Sequence, residues 1–148
     1  MEENVKYMKE ALREAQCAAA EDEVPIGAVV VCRGRVIAKG HNMTERLNDP
    51  TAHAEMIAIT AATEAMGGKY LNDCTIYVTV EPCPMCAGGI INSRIETVRY
   101  GAKDDKAGAC GSVLNLFEER FNHHPRIYRG PMEAECEEQL QEFFRNLR

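Results

Sequence analysis

Two short motifs bring together residue types that hold metal ions and move protons. His53-Ala54-Glu55 is followed about 30 residues later by Pro82-Cys83-Pro84-Met85-Cys86. Two thiolates and one imidazole are borderline-soft ligands that suit Zn²⁺. Three protein ligands leave one coordination position for a water, whose pKa the ion lowers toward about 7. Ligand type alone would also admit Fe²⁺ or Co²⁺. Glu55 supplies the other half of a hydrolytic site, a carboxylate that takes a proton from that water and passes it on as general acid/base.

Simpler readings compete with this one. A lone Cys-x-x-Cys serves equally as a redox pair or as half of a structural zinc site. A His at a helix start is often a cap, and a Glu in a first turn is often a partner of the helix dipole. A structural zinc needs a fourth protein ligand; Cys74, Cys110 or Glu55 itself could serve, and none has a recommending spacing. The catalytic reading carries a geometric condition. Residues two apart do not share a helix face, so His53 and Glu55 converge only if the first turn is distorted or the metal sits over the helix end.

The surrounding pattern predicts elements that can meet the condition. Val5, Met8, Leu12, Ala15 and Ala19 recur every three or four residues and predict an amphipathic helix over 3–20. Ile26 to Val31, then Arg33-Gly34, then Val36 to Ala38 read as a β-hairpin. Asp49-Pro50-Thr51 supplies N-cap and first-turn residues for a helix that starts just before His53 and runs to about Met66, stopped by Gly67-Gly68. Thr75 to Val80 reads as a strand; Pro82 and Pro84 end it and open a short helix to about Ser93, with Cys83 and Cys86 on its first turn. Thr97–Tyr100 predicts a strand, 112–119 a short helix, Arg126–Tyr128 a strand and 132–147 a closing helix. Strands alternating with helices imply an α/β sheet covered on both faces, where helix N-termini ring one crevice and the two motifs can meet.

Composition bounds the rest. The 148 residues, 45% hydrophobic and 27% charged, read as one domain over 1–148 with no repeat or linker. Lys and Arg total 17 against 23 Asp and Glu, a net charge of −6 that argues against bulk binding to polyanions while permitting a local basic patch. Seven scattered cysteines, an odd number, fit a reducing cytoplasm better than a disulfide framework. No stretch has the roughly 18 apolar residues of a membrane span and the start lacks a signal-peptide pattern, so a cytoplasmic, unprocessed chain without membrane partner is expected.

At the metal motifs the sequence resembles the zinc-dependent nucleobase deaminase superfamily, whose signature is H-x-E followed by P-C-x-x-C. The likeness runs through Glu23-Val-Pro-Ile-Gly-Ala-Val, Gly40-His-Asn42, Asp49 to Glu55, Tyr77 to Gly88, Tyr100 to Gly108 and Phe143-Phe-Arg145. These stretches together resemble the bacterial tRNA-specific adenosine deaminases. The resemblance implies a three-layer α/β/α cytidine-deaminase-like fold with a mixed five-stranded sheet. It also implies one Zn²⁺ per subunit on His53, Cys83 and Cys86, and no nucleotide cofactor. Glu55 would be the proton shuttle as activated water attacks C6 of the wobble adenosine, position 34, of an arginine tRNA.

By the same resemblance Asn42 hydrogen-bonds the flipped base, and Val24, Ala54 and Val80 line its pocket. Asp104, Lys106, Phe144 and Arg148 lie near the anticodon loop, Phe144 as a stacking platform. A homodimer is implied, using the chain between the zinc motifs and the Cys86–Arg94 helix. Read without the resemblance, Asn42 is a loop residue satisfying backbone, and Val24 and Val80 are indistinguishable from core. Phe143, Phe144 and Leu147 at helical spacing with Leu140 read first as core, although adjacent phenylalanines point apart, so one must face outward. The segment Arg120–Met132, with Arg120, Arg126, Arg129, His123 and His124 and no acid, is a basic strip for RNA or a solvated face. Two rival functions share the motifs: a deaminase of free guanine, cytosine or a nucleoside, and a zinc-stabilised RNA-binding module.

Overall fold

The run Gly27–Cys32 forms a strand, β1, buried at every residue. Ala28, Val30 and Cys32 enter one apolar cluster and Val29 and Val31 another, the period-2 alternation of a strand covered on both faces. Arg33 and Gly34, both with positive φ, turn the chain into β2 (Arg35–His41), antiparallel to β1. Before them stands helix α1 (Glu2–Ala20); after them come α2 (Ala54–Met66), β3 (Cys74–Val80), α3 (Pro84–Asn92), β4 (Thr97–Ala102), β5 (Arg126–Arg129) and α4 (Glu133–Asn146). These elements belong to a computed structural model that describes residues 2–147.

The sheet runs in the order β2-β1-β3-β4-β5. The β2/β1 and β1/β3 pairs are antiparallel and β3/β4 and β4/β5 parallel, so the mixed five-stranded expectation holds. Helices α2 and α3 cover one face, with Ala58 and Ile90 against Val30, Ile76 and Val78. Helices α1 and α4 cover the other, with Met8, Ala11 and Cys136 against Val29 and Tyr77. Gly40 lets β2 approach α2 closely, because a Cβ there would lie 2.5 Å from the Ala54 carbonyl oxygen. No helix among the described residues is long and apolar enough to cross a membrane.

Three expectations about the elements are corrected. The second helix starts at Ala54, not before His53, and Asp49-Pro50-Thr51 is a turn. Asp49 Oδ1 accepts from the Thr51 amide and hydroxyl at 2.8 and 2.7 Å, and the extended backbone of His53 (φ −83°, ψ 152°) separates that turn from the helix. Residues 112–119 hold only a 3₁₀ turn, Leu116–Glu118. The Ser112 amide is bonded to Glu81 and Asn115 caps the turn, so the donors an α-helix would use are engaged elsewhere. On α4 Cys136 and Leu140 face the core, and Phe143 is half-buried. Phe144, one residue or about 100° further round, is 47% exposed, and Leu147 at the helix end is 66% exposed, so neither is core. Arg148 lies outside the described residues.

Candidate active site

His53 is the N-cap of α2 and Cys83 that of α3, both with extended backbone, and Cys86 lies in the first turn of α3 behind Pro84. The strand ends thus deliver two helix N-termini to one spot, and the capping position answers the geometric condition on His53 and Glu55. His53 stands outside the helix and swings over its end, while Glu55 projects from the first turn. The ligand atoms of His53, Cys83 and Cys86 all lie within 4.8 Å of one another, the only such trio of His, Cys, Asp or Glu among the described residues. His53 Nδ1 is 3.6 Å from Cys83 Sγ and 3.5 Å from Cys86 Sγ. A tetrahedral zinc with Zn–S about 2.3 Å and Zn–N about 2.0–2.1 Å separates sulfur and nitrogen by about 3.6 Å, so the trio fits the ion without rearrangement.

Charge is organised around the same atoms. A hydrogen bond from Cys86, then one from His53, pulls the Cys83 thiol down to about 4 against the opposing effect of burial. Cys86 moves up, because it donates to Cys83 and is buried beside Glu55. His53 is raised first by its bond to Cys83; the backbone of Pro50 also favours its protonated ring, which gives the Asp49–Thr51 turn its place in the site. Glu55 is 3% exposed, and one of its oxygens, Oε1, has no partner among the described residues. Burial pushes its carboxyl up to about 7. Unpaired buried oxygens are rare in folded proteins; Gln139 Oε1 on α4 is another here, and Glu55 Oε1 is the one that stands beside the His53-Cys83-Cys86 trio.

The remaining residues fall into three groups. Asn42 is buried and its Oδ1 accepts the Ala54 amide at 2.9 Å, so it caps α2 from the end of β2; its Nδ2 donors are not spent on that bond. Ala54 is buried at the head of α2 and Val24 is half-buried. Val80, 4% exposed, packs in the cluster beneath α1 and α4. Asp104 turns its Oδ1 back onto the amides of Lys106 (3.0 Å) and Ala107 (3.1 Å), with the Lys106 side chain exposed. In the basic strip, Arg129 pairs with Glu137, while His123 and His124 bond the carbonyls of Ile95 and Glu119; Arg120 and Arg126 are exposed. Of the candidate fourth ligands, neither Cys74 nor Cys110 joins the trio.

Two buried carboxylates escaped the sequence reading. Glu23 takes hydrogen bonds from the Thr44 hydroxyl and the amides of Glu45 (3.1 Å) and Arg46 (2.8 Å), fixing the loop that follows Asn42. Glu81 takes bonds from the amides of Asp104, Cys110 and Ser112 and from the Ser112 hydroxyl. In both, burial raises the carboxyl but the donated bonds outweigh it and hold it below the usual range. No local signal singles out either one: Glu23 closes the acidic run Glu21-Asp22-Glu23, and Glu81 stands between a strand and a proline.

The family model for MafB19-like deaminases matches residues 2–148. The tRNA-specific adenosine deaminase of Bacillus subtilis (strain 168) is similar, with 49% identity over 149 residues that cover 100% of this chain and 92% of that protein. A solved structure from work on A-to-I editing by tRNA:A34 deaminases at the wobble position of transfer RNA superposes with a TM-score of 0.87 at 48% identity, covering 91% of this chain and 99% of that one. The guanine deaminase of Bacillus subtilis is more distant, with a TM-score of 0.65 at 32% identity over 95% of this chain and 92% of that one.

Proposed function

The chain belongs to the MafB19-like deaminase family, in the company of tRNA-specific adenosine deaminases, and from that membership we propose that it hydrolyses adenosine to inosine at the wobble position of an arginine tRNA. The observation that carries this reading is the unpaired, buried Oε1 of Glu55 beside the His53-Cys83-Cys86 trio. His53, Cys83 and Cys86 would hold one Zn²⁺ per subunit, which when bound supplies Lewis acidity and a water of lowered pKa.

Glu55 takes a proton from the attacking water and delivers it to N1 of the adenine as the new C–O bond forms at C6. It then carries the proton of the new C6 hydroxyl to N6, the C6–N6 bond breaks as the C6 carbonyl forms, and ammonia leaves; one water enters and one ammonia departs. A carboxyl held near neutrality by burial is matched to giving and taking protons at the same pH. Asn42, fixed through Oδ1 to the head of α2, presents Nδ2 to the base, and Val24 and Ala54 shape the pocket around it, while Val80 belongs to the apolar cluster beneath α1 and α4. Asp104, Lys106, Arg148 and the exposed ring of Phe144 meet the anticodon loop, Phe144 by stacking. A homodimer through the α2–α3 face completes the RNA groove. The reducing cytoplasm suits two ligand cysteines that must stay unoxidised.

Turnover of an arginine-tRNA anticodon stem-loop, compared with free adenosine, guanine and cytosine, tests this. Inosine is expected at position 34 of the RNA and no product from the free bases. Turnover of guanine or cytosine with none of the RNA would overturn it, and an unchanged rate in Glu55→Ala would remove the proton shuttle.

A further inference from the structure

Glu81 sits between the end of β3 and Pro82-Cys83, 3% exposed, with each carboxylate oxygen engaged twice. Oε1 accepts from the Asp104 amide (3.0 Å) and the Ser112 hydroxyl; Oε2 accepts from the amides of Cys110 (2.8 Å) and Ser112 (3.1 Å). Two backbone bonds flank it: the Glu81 amide to the Ala102 carbonyl and the Ala109 amide to the Pro82 carbonyl, both 2.8 Å. Gly108 lies against the carboxylate so closely that a Cβ would come within 2.3 Å of Glu81 Cδ.

The connection from β4 to β5 spans residues 103–125 with only a 3₁₀ turn and the isolated Cys110–Asn115 bridge of its own. Local turns such as the Gly108 amide to the Asp104 carbonyl (2.8 Å) and the Leu116 amide to the Ala109 carbonyl (3.0 Å) fold it on itself, and Glu81 gathers the donors that tie it to the end of β3. Asp104, held at its amide by Glu81, in turn bonds the amide of Lys106, so the position of that lysine follows from Glu81 in two steps. A carboxylate with all its acceptor capacity used is no proton shuttle.

We propose that Glu81 is a positioning residue for the deamination, clamping the segment Asp104–Ser112 onto the loop that carries Cys83 so that RNA contacts and the reactive centre keep one spacing. The inference rests on the reading of that segment as RNA-facing. Two variants disturb the clamp differently: Glu81→Gln removes the charge and one acceptor while keeping the shape, and Gly108→Ala keeps the charge and displaces it. Gly108 lacks a positive φ, so alanine carries no backbone strain there.

Each variant is compared with the unmodified chain by steady-state kinetics on the anticodon stem-loop, by zinc content, and by hydrogen exchange at the amides of Asp104, Cys110 and Ser112. Expected are faster exchange at those amides, unchanged zinc per chain, and a KM raised about tenfold with kcat lowered no more than about threefold, the split of a lost positioning bond. Three outcomes overturn the proposal: unchanged exchange in both variants, faster exchange with KM unmoved, or equal loss of zinc and kcat with no separate effect on KM. An unmodified chain that turns over only free bases sinks the proposed function instead, before either variant is consulted.

Discussion

Glu55 and Glu81 are buried to the same degree, each 3% exposed, each at the start of a helix-bearing segment and each near a cysteine ligand, yet their environments are opposite. Around Glu81, four donated bonds leave no oxygen free and hold the carboxyl low. Around Glu55, one oxygen has no partner and burial holds the carboxyl up near 7. Burial by itself therefore does not mark a working carboxylate. The number of donors does: a saturated carboxylate fixes backbone, and an unsaturated one is kept ready for a proton and a ligand.

The largest effect is expected at the unsaturated group. Glu55→Gln should lower turnover of the stem-loop by about a thousandfold or more, within the range of general acid/base contributions. Zinc should remain at one per chain by elemental analysis, whereas Cys83→Ser should lose the metal as well as the activity. A Glu55→Gln chain that retains its rate would erase the distinction between the two carboxylates.

A smaller effect is expected at the other saturated carboxylate. Glu23→Gln should destabilise the fold by about 1–3 kcal/mol in denaturant unfolding at pH 7, with two backbone amides losing a charged acceptor. The pH dependence follows from the sign of the shift. Glu23 and Glu81 titrate lower in the folded chain than the ordinary 4.5, so their stabilisation is present above that pH and is lost as pH falls through their folded values. The Glu23→Gln stability profile should therefore be flatter on the acid side than that of the unmodified chain; a parallel profile would contradict the assignment.

The smallest effect sharpens the contrast by running the other way. Glu55 titrates higher in the folded chain, at about 7, so the folded state binds the extra proton and stability falls as pH rises from about 4.5 to about 7. In chelator at pH 8, Glu55→Gln should raise stability by about 1 kcal/mol, since a neutral side chain escapes the burial penalty. Lower stability of the variant at that pH would show that Glu55 is structurally engaged.

The trio was legible in sequence because metal ligands of fixed chemistry sat at predicted helix starts behind predicted strands. The hairpin was legible because Arg33-Gly34 interrupts an apolar run. The start of α2 was misread because Asp49-Pro50-Thr51 has the composition of an N-cap, and only the extended His53 shows that the helix waits. For Phe143 and Phe144, period says that one ring faces outward but not which, and the structure exposes Phe144. Glu23 and Glu81 are not legible because the backbone amides they hold lie 22 to 31 residues away, and no local pattern encodes a bond of that reach.

The free rims of the sheet are β2 and β5, and each carries an exposed arginine, Arg35 on one and Arg126 on the other. Positive side chains on an edge strand repel a second edge of the same kind and discourage open-ended fibril growth. Stacking of copies strand to strand is thereby disfavoured at both ends.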